Sequence, residues 1–486
     1  MRKMQKGSVT LYLTLTLGVL LSLVFVLLQA VRNGTIRMET ESVMDIALFS
    51  VFGEYNRQLL EQYDLFFVDT SYGEGRPGIR RMEEHLQYYM NENFRKENTE
   101  SWFGIRDLTD LSCDNVEFEG YLYASDGQGE VLKQQIVDYV QHKTGIETVE
   151  SILEKFGVLQ TGNYLSMDME SRWDEAEENL NILVEEKRQE LASYEEEEEI
   201  PWGLDNPADF VKDVKEQGIL GLALPAGKEL SSMVIHPEYY FSHRKAMKGQ
   251  GTLSEKESPV DGITGKYFLI EYLMEKCGTY LWGKENSVLQ YQIEYLLQGN
   301  AGDLENLEAV IERILQIREG VNFLYLISDE GKVAEADALA TIVSVLLFSP
   351  EIKEAVKTTI LFAWSYAESV KDIRILLDGN KLPLLKNSHT WNTPLSQLLM
   401  FTACLDQYQT SSEGMTYEDY LKFFLALESE QELLYRFMDI CEMDIRMTQG
   451  NEYFQMDGCV YAIQAKANVS SGYGNGYEII RTYTYE

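Results

Sequence analysis

The chain has 486 residues, of which 45% are apolar and 25% charged; it can bury sizeable cores and is too long for one ordinary domain. A formal net charge of −37 repels nucleic-acid phosphates and argues against nucleic-acid binding. Five cysteines and five histidines are too few for a disulfide-dense scaffold, and they make a metal cluster a poor reading.

At the start of the chain, Arg2, Lys3 and Lys6 precede a run from Ser8 to Val31 without a charged residue. As a helix this run measures roughly 36 Å at about 1.5 Å per residue, enough for one tilted crossing of a hydrocarbon layer about 30 Å thick. It is longer than the apolar core of a cleaved signal peptide, and Leu28-Gln29-Ala30-Val31 offers no small-x-small cleavage site. The reading is an uncleaved single-pass anchor in the lipid bilayer of the cell membrane. The basic residues 1–7 stay cytoplasmic and the bulk of the chain is extracellular.

The junction Lys6-Gly7-Ser8-Val9-Thr10-Leu11-Tyr12 resembles the cleavage region of type IV prepilins, especially the pseudopilins of Tad secretion systems. In those proteins a short basic leader ends in Gly and the mature helix begins at once. The resemblance implies processing between Gly7 and Ser8. Tyr12 stands at the fifth mature position, where pilins usually carry a Glu able to pair with a neighbour's new amino terminus. The competing reading is a plain signal anchor in which Gly7 only starts the helix.

After Arg32, Ile36, Val43, Ile46, Ala47, Ser50, Val51, Tyr55 and Leu59 recur at helical steps and predict an amphipathic continuation. Tyr63–Asp69 reads as a short buried strand. Val116–Tyr123 reads as a second strand closed by a turn at Ala124–Gly127, and Gly129–Lys143 as a helix. Together these pieces give a first α+β exterior unit over 32–165.

Asp168–Glu199 predicts a long acidic helix whose apolar stripe is Trp173, Ala176, Leu180, Leu183 and the stem of Lys187, stopped by Pro201. Glu195–Glu199 lacks the alternating oxygens and glycine turn of a calcium loop and reads as a solvated face. Pro201–Pro259 reads as irregular, so 166–259 is an acidic helix plus an insertion. In 260–486, Leu289, Tyr291, Ile293 and Tyr295 alternate with polar residues and predict a half-buried strand. Helices follow over Leu304–Tyr325, Ala334–Phe348, Glu351–Asp378 (ending at Gly379) and Tyr417–Met447. Period-two alternation over Cys459–Val469 and Tyr477–Tyr485, around a Gly-rich turn, predicts a terminal β-hairpin. The fold class is therefore α+β: a transmembrane helix running into an amphipathic one, then a helix-rich exterior with antiparallel strands and a C-terminal β-hairpin.

Chemistry-bearing patterns are few. Gly73–Gly78 lacks phosphate-loop spacing, and there is no nucleophile elbow, Cys-x-x-Cys or His-Glu-x-x-His. His236 and His243 flank a loop containing Pro237 and make a poor metal pair. Glu368 and Asp372 lie one turn apart on a helix, a spacing able to hold a metal or do acid–base work. Their neighbours Lys371 and Arg374 favour ion pairing instead. The five widely spaced cysteines allow one disulfide or buried thiols. No cofactor, metal or catalytic residue is expected.

Four segments, Gln62–Thr70, Tyr291–Leu297, Ile317–Tyr325 and Trp364–Gly379, together with the leader, resemble an uncharacterised domain-of-unknown-function family of membrane-anchored proteins in Gram-positive anaerobes. The resemblance implies a genomic neighbourhood of Tad-type pilus and secretion genes, and partners among those components. The expected function is a non-enzymatic, pseudopilin-like structural or assembly part. The alternatives are an exported cell-wall-acting hydrolase using Glu368 and Asp372, or a surface adhesion module of unknown ligand.

Overall fold

A computed structural model of the protein describes residues 6–95, 109–143, 169–192, 214–215, 218–224, 227–253, 262–346, 349–474 and 476–485. In chain order its main elements begin with α1 (Lys6–Phe52), α2 (Arg57–Tyr63), β1 (Val68–Asp69), α3 (Ile79–Phe94), β2 (Leu111–Tyr123), α4 (Glu130–Lys143) and α5 (Met169–Ala192). Then come α6 (Gly262–Lys276), α7 (Gln292–Gln298), α8 (Asp303–Ser328), α9 (Glu330–Leu346) and α10 (Lys353–Leu377). The chain ends with α11 (Tyr417–Leu427), α12 (Glu430–Arg446), β3 (Cys459–Ser471) and β4 (Gly476–Thr484). The α+β class holds. Packing gathers the chain into two compact units: a sheet unit of residues 1–136, 240–259 and 441–486, and a helical unit of residues 137–239 and 260–440.

In the sheet unit β3 is central and wholly antiparallel to its neighbours. β2 lies along one edge, while β1 and β4 pair with successive stretches of β3. Bulges in β2, the first between Cys113 and Asn115, shift its register so that Val116 and Phe118 return to the buried face. Against the sheet pack the second half of α1 (Ile36, Val43, Met44, Ala47, Leu48, Val51, Phe52) and α3 (Met82, Leu86, Met90, Phe94). The terminal hairpin thus shares a core with residues near the start of the chain.

α1 is one unbroken helix, and its two halves live differently. From Val9 to Val31 its large apolar side chains stay 50–71% exposed, whereas burial begins at Ile36. An apolar window of this helix is long enough to cross a membrane and none of it is buried. The helix stops at Phe52, so the expected stripe is real for Ile36, Val43, Ala47 and Val51, but Ile46 is exposed, Ser50 only half-buried, and the stripe does not reach Tyr55 or Leu59. Leu59 belongs to α2, which Asn56 caps by accepting from the Leu59 amide at 3.0 Å. The strand expected over Tyr63–Asp69 is likewise only Val68–Asp69, because Tyr63 closes α2 and its hydroxyl donates to Asp444.

In the helical unit α10 is the axis: every residue from Thr359 to Leu377 is buried, and the helix packs against α8, α9 and α5. A helix buried on all sides shows little amphipathic period, and composition rather than pattern marks it. Phe362 stacks on Phe323 of α8 at 4.5 Å and meets Trp173 of α5 edge-on at 5.9 Å. Gly379, with φ +81°, lets the chain turn left-handed after α10 while its amide donates to the Leu376 carbonyl at 3.0 Å. α11 opens with a reciprocal capping box between Thr416 and Asp419. Glu195–Glu199 lies outside the described residues.

A further expectation is corrected. Gln292–Gln298 is a helix, not a strand. The apparent alternation arose because Gln292 and Glu294 are polar, yet both are fully buried, bonded to Ser287 and Tyr417 respectively.

Candidate functional site

Glu368 and Asp372 are both completely buried in α10. The chain after α10 carries Lys386 back over them, and its side chain is fully buried too. Lys386 Nζ donates to Glu368, to Asp372 Oδ1 at 2.6 Å and to the Thr390 carbonyl at 3.1 Å. From α8, Arg318 donates through Nε and Nη2 to Asp372 Oδ2 at 3.0 and 2.8 Å, and through Nη1 to the Leu384 carbonyl at 2.9 Å. Asn322, one turn further along α8, donates to the same Oδ2 at 2.8 Å and to Ser369 at 2.9 Å. The Asn392 amide donates to Glu368 at 2.9 Å.

Two carboxylates therefore face two cations, and all four side chains are fully buried. Burial alone would push the Asp372 carboxyl up; Lys386 and Arg318 outweigh it and hold it below its usual range. Such a cluster resists substitution more than it stabilises, because any one missing charge leaves another uncompensated. Its geometry fits a staple: it fastens the irregular chain over Pro383–Asn392 to α8 and α10. A metal would have to displace Lys386, and among the described residues no group of three His, Cys, Asp or Glu is placed to hold one.

The sequence-based pairing is partly revised. Lys371 does not pair with Glu368. It donates to the carbonyls of Asn392 and Gln407 at 3.2 and 3.3 Å. Arg374 does bridge to another segment, at Asp406. Arg318 and Lys386 went unrecognised as partners. Arg318 and Asn322 had left a signal, since they interrupt the apolar stripe Val310, Ile314, Ile317, Val321 of α8. Lys386 sits in a loop and left none.

A second buried carboxyl has no ion-pair partner among the described residues. Glu294 on α7 accepts from the Tyr280 amide and the Tyr417 hydroxyl, each at 2.8 Å, through Oε1; Oε2 meets no donor. Burial pushes its carboxyl up to about 7. Glu319 on α8 is pushed up to about 7 by burial as well, against the pull of Lys215. In the sheet unit Arg244 bridges Glu442 of α12 and Asp457, and the Met456 amide donates to Glu442 at 2.9 Å. Burial raises the Glu442 carboxyl, and Arg244 and Arg446 counter it.

The other candidates stay apart. His236 lies 3.7 Å from Glu238, while His243 is bonded to Ser242 at 2.8 Å. All five cysteines are free thiols, so no disulfide forms. Gly7 and Ser8 lie in the first turns of α1, and their side chains fall outside the description.

No curated protein and no solved structure matches the chain. A family model matches residues 195–471, which takes in three of the four segments that carried the resemblance and leaves out α1 and β2. Because that match covers more than half of the chain, the protein belongs to the family of unknown function DUF5702.

Proposed function

We propose that this protein is a single-pass, membrane-anchored, non-enzymatic structural component of a surface assembly, with a pseudopilin-like N-terminus of the Tad pilus and secretion class. The observation that carries this reading is α1: one continuous helix whose first half is apolar and exposed and whose second half is packed into a folded unit. That is the layout of a subunit that sits in a bilayer before assembly and contributes a helix to a filament core afterwards. The resemblance of Lys6–Tyr12 to a prepilin cleavage region, and the Gram-positive, Tad-linked setting implied by the family resemblance, point the same way. Arg2, Lys3 and Lys6 hold the N-terminus in the cytoplasm and place the two units outside. The paired state of Glu368 and Asp372 supports a structural role for these two carboxylates.

N-terminal sequencing of the protein extracted from its native membrane tests the reading. A start at Ser8 supports processing between Gly7 and Ser8 and the pseudopilin assignment. A start at Met1 removes the pseudopilin assignment and keeps the anchor. A start beyond Gln29 overturns both.

A further inference from the structure

The packed half of α1 begins almost where its apolar run ends. Val31 is exposed, Arg32 is half-buried and Ile36 is the first buried residue, so no stalk separates the sheet unit from the end of the apolar segment. β4 runs alongside α1 in the same direction, and four contacts fix its level. The Arg32 guanidinium lies 4.0 Å from the centre of the Tyr473 ring, and the Tyr477 hydroxyl donates to Glu41 at 3.2 Å. Arg481 donates to Asp45 at 3.2 Å, and the Tyr485 hydroxyl to the Phe52 carbonyl at 2.6 Å. The start of β2 lies at the same end: Thr109 donates to Glu39 at 2.9 Å, and the Gly472 amide to the Asp110 carbonyl at 2.9 Å.

We infer that the β3–β4 turn at Gly472–Gly474 rests in the headgroup layer of the bilayer, with Tyr473 and Arg32 as an interfacial anchor on the outer leaflet. This rests on the reading of α1 as a membrane span. Headgroups occupy about 5–8 Å beyond the hydrocarbon on each side, which equals roughly three to five residues of helix rise beyond Val31. Arg32 and the ring stacked on it fall inside that layer. Tyrosine is enriched at this depth because its ring is apolar and its hydroxyl wet, and an arginine at a span's end can reach lipid phosphate. The proposed partner is therefore a phospholipid surface, met by the sheet unit directly as well as through α1.

The opposite end of the unit supplies an internal control. Asn451 bonds Asn56 at 2.8 Å, just past the end of α1, so Tyr453 lies near that end, roughly 30 Å of helix rise from Arg32. Tyr453 and Tyr473 are 53% and 43% exposed, so without a bilayer they react with solvent probes at similar rates. The experiment uses the full chain in vesicles of phosphatidylglycerol and phosphatidylcholine, isolated by flotation. Hydroxyl-radical footprinting is expected to oxidise Tyr473 at least fivefold less than Tyr453. A photo-crosslinking amino acid at position 473 is expected to give lipid adducts at least tenfold above the same probe at 453. Floating protein with equal oxidation and equal adducts at the two positions overturns the inference and leaves the anchor standing. Protein that fails to float overturns the anchor reading and this inference with it.

Discussion

Two buried carboxylate sites in the helical unit meet the cost of desolvation in opposite ways. Lys386, buried against both Glu368 and Asp372, and Arg318, buried against Asp372, hold the Asp372 carboxyl below its usual range. Among the described residues Glu294 accepts from the Tyr280 amide and the Tyr417 hydroxyl and meets no cation, and burial pushes its carboxyl to about 7. Side chains of the same chemistry therefore have opposite pH behaviour. Asp372, held below its usual range, contributes stability that is present above the unfolded-state carboxylate range and is lost as the solution is acidified. Glu294, raised, contributes stability that is complete below about pH 4.5 and is lost as pH rises towards 7. The difference shows that carboxylate spacing on a helix says little about chemistry until the facing cations are known.

The largest expected effect breaks the compensated site. Lys386→Met leaves two carboxylates buried with one cation and should cost about 3–5 kcal/mol. Urea unfolding followed by the fluorescence of Trp364 and Trp391, whose rings meet 5.7 Å apart beside the cluster, reads it. Adding Glu368→Gln to that variant should recover part of the loss, because it removes the stranded charge. Full additivity of the two substitutions would show that the cluster is not coupled.

The uncompensated site is sharpened by a pH series. A carboxyl raised from an ordinary 4.5 to about 7 should produce a decline in stability on the order of 3 kcal/mol across that window. Glu294→Gln should flatten it. A decline unchanged in the variant would assign the slope to Glu319 or another group.

Comparable in size, and a test of charge burial in lipid rather than protein, is Leu20→Arg. It should weaken membrane insertion by about 2.5–3.5 kcal/mol. Retention in the carbonate-washed membrane fraction measures it, and unchanged retention would count against the anchor.

The smallest effect belongs to charges left near water. Arg481, 35% exposed, pairs with Asp45 at 3.2 Å, and Arg481→Ala should cost only about 0.2–1 kcal/mol. A loss above 2 kcal/mol would mean that the contact between α1 and β4 works as a buried network.

Much of the fold was legible in the sequence. The periodicity over Leu304–Tyr325 foretold α8, and the composition of Glu351–Asp378 with its stop at Gly379 foretold α10, each to within a few residues. The β3–β4 hairpin showed its period-two pattern around a glycine-rich turn. α3 went unread although Met82, Leu86, Met90 and Phe94 mark one face. α7 was misread because the alternation rule takes polar residues to face water, and Gln292 and Glu294 do not.

What the sequence determined by itself is a helix apolar and long enough to cross a membrane, followed by a strongly acidic remainder. An uncharged apolar run of bilayer length and an acidic remainder are properties of composition, and composition needs no partner to take effect. What only the tertiary structure decided is which charges meet. Lys386 reaches Glu368 across a loop, Arg318 reaches Asp372 from another helix, and the C-terminal strand returns to lie along α1 beside Arg32. Pairings of this kind depend on how the backbone closes over long separations, and no local period or spacing encodes them.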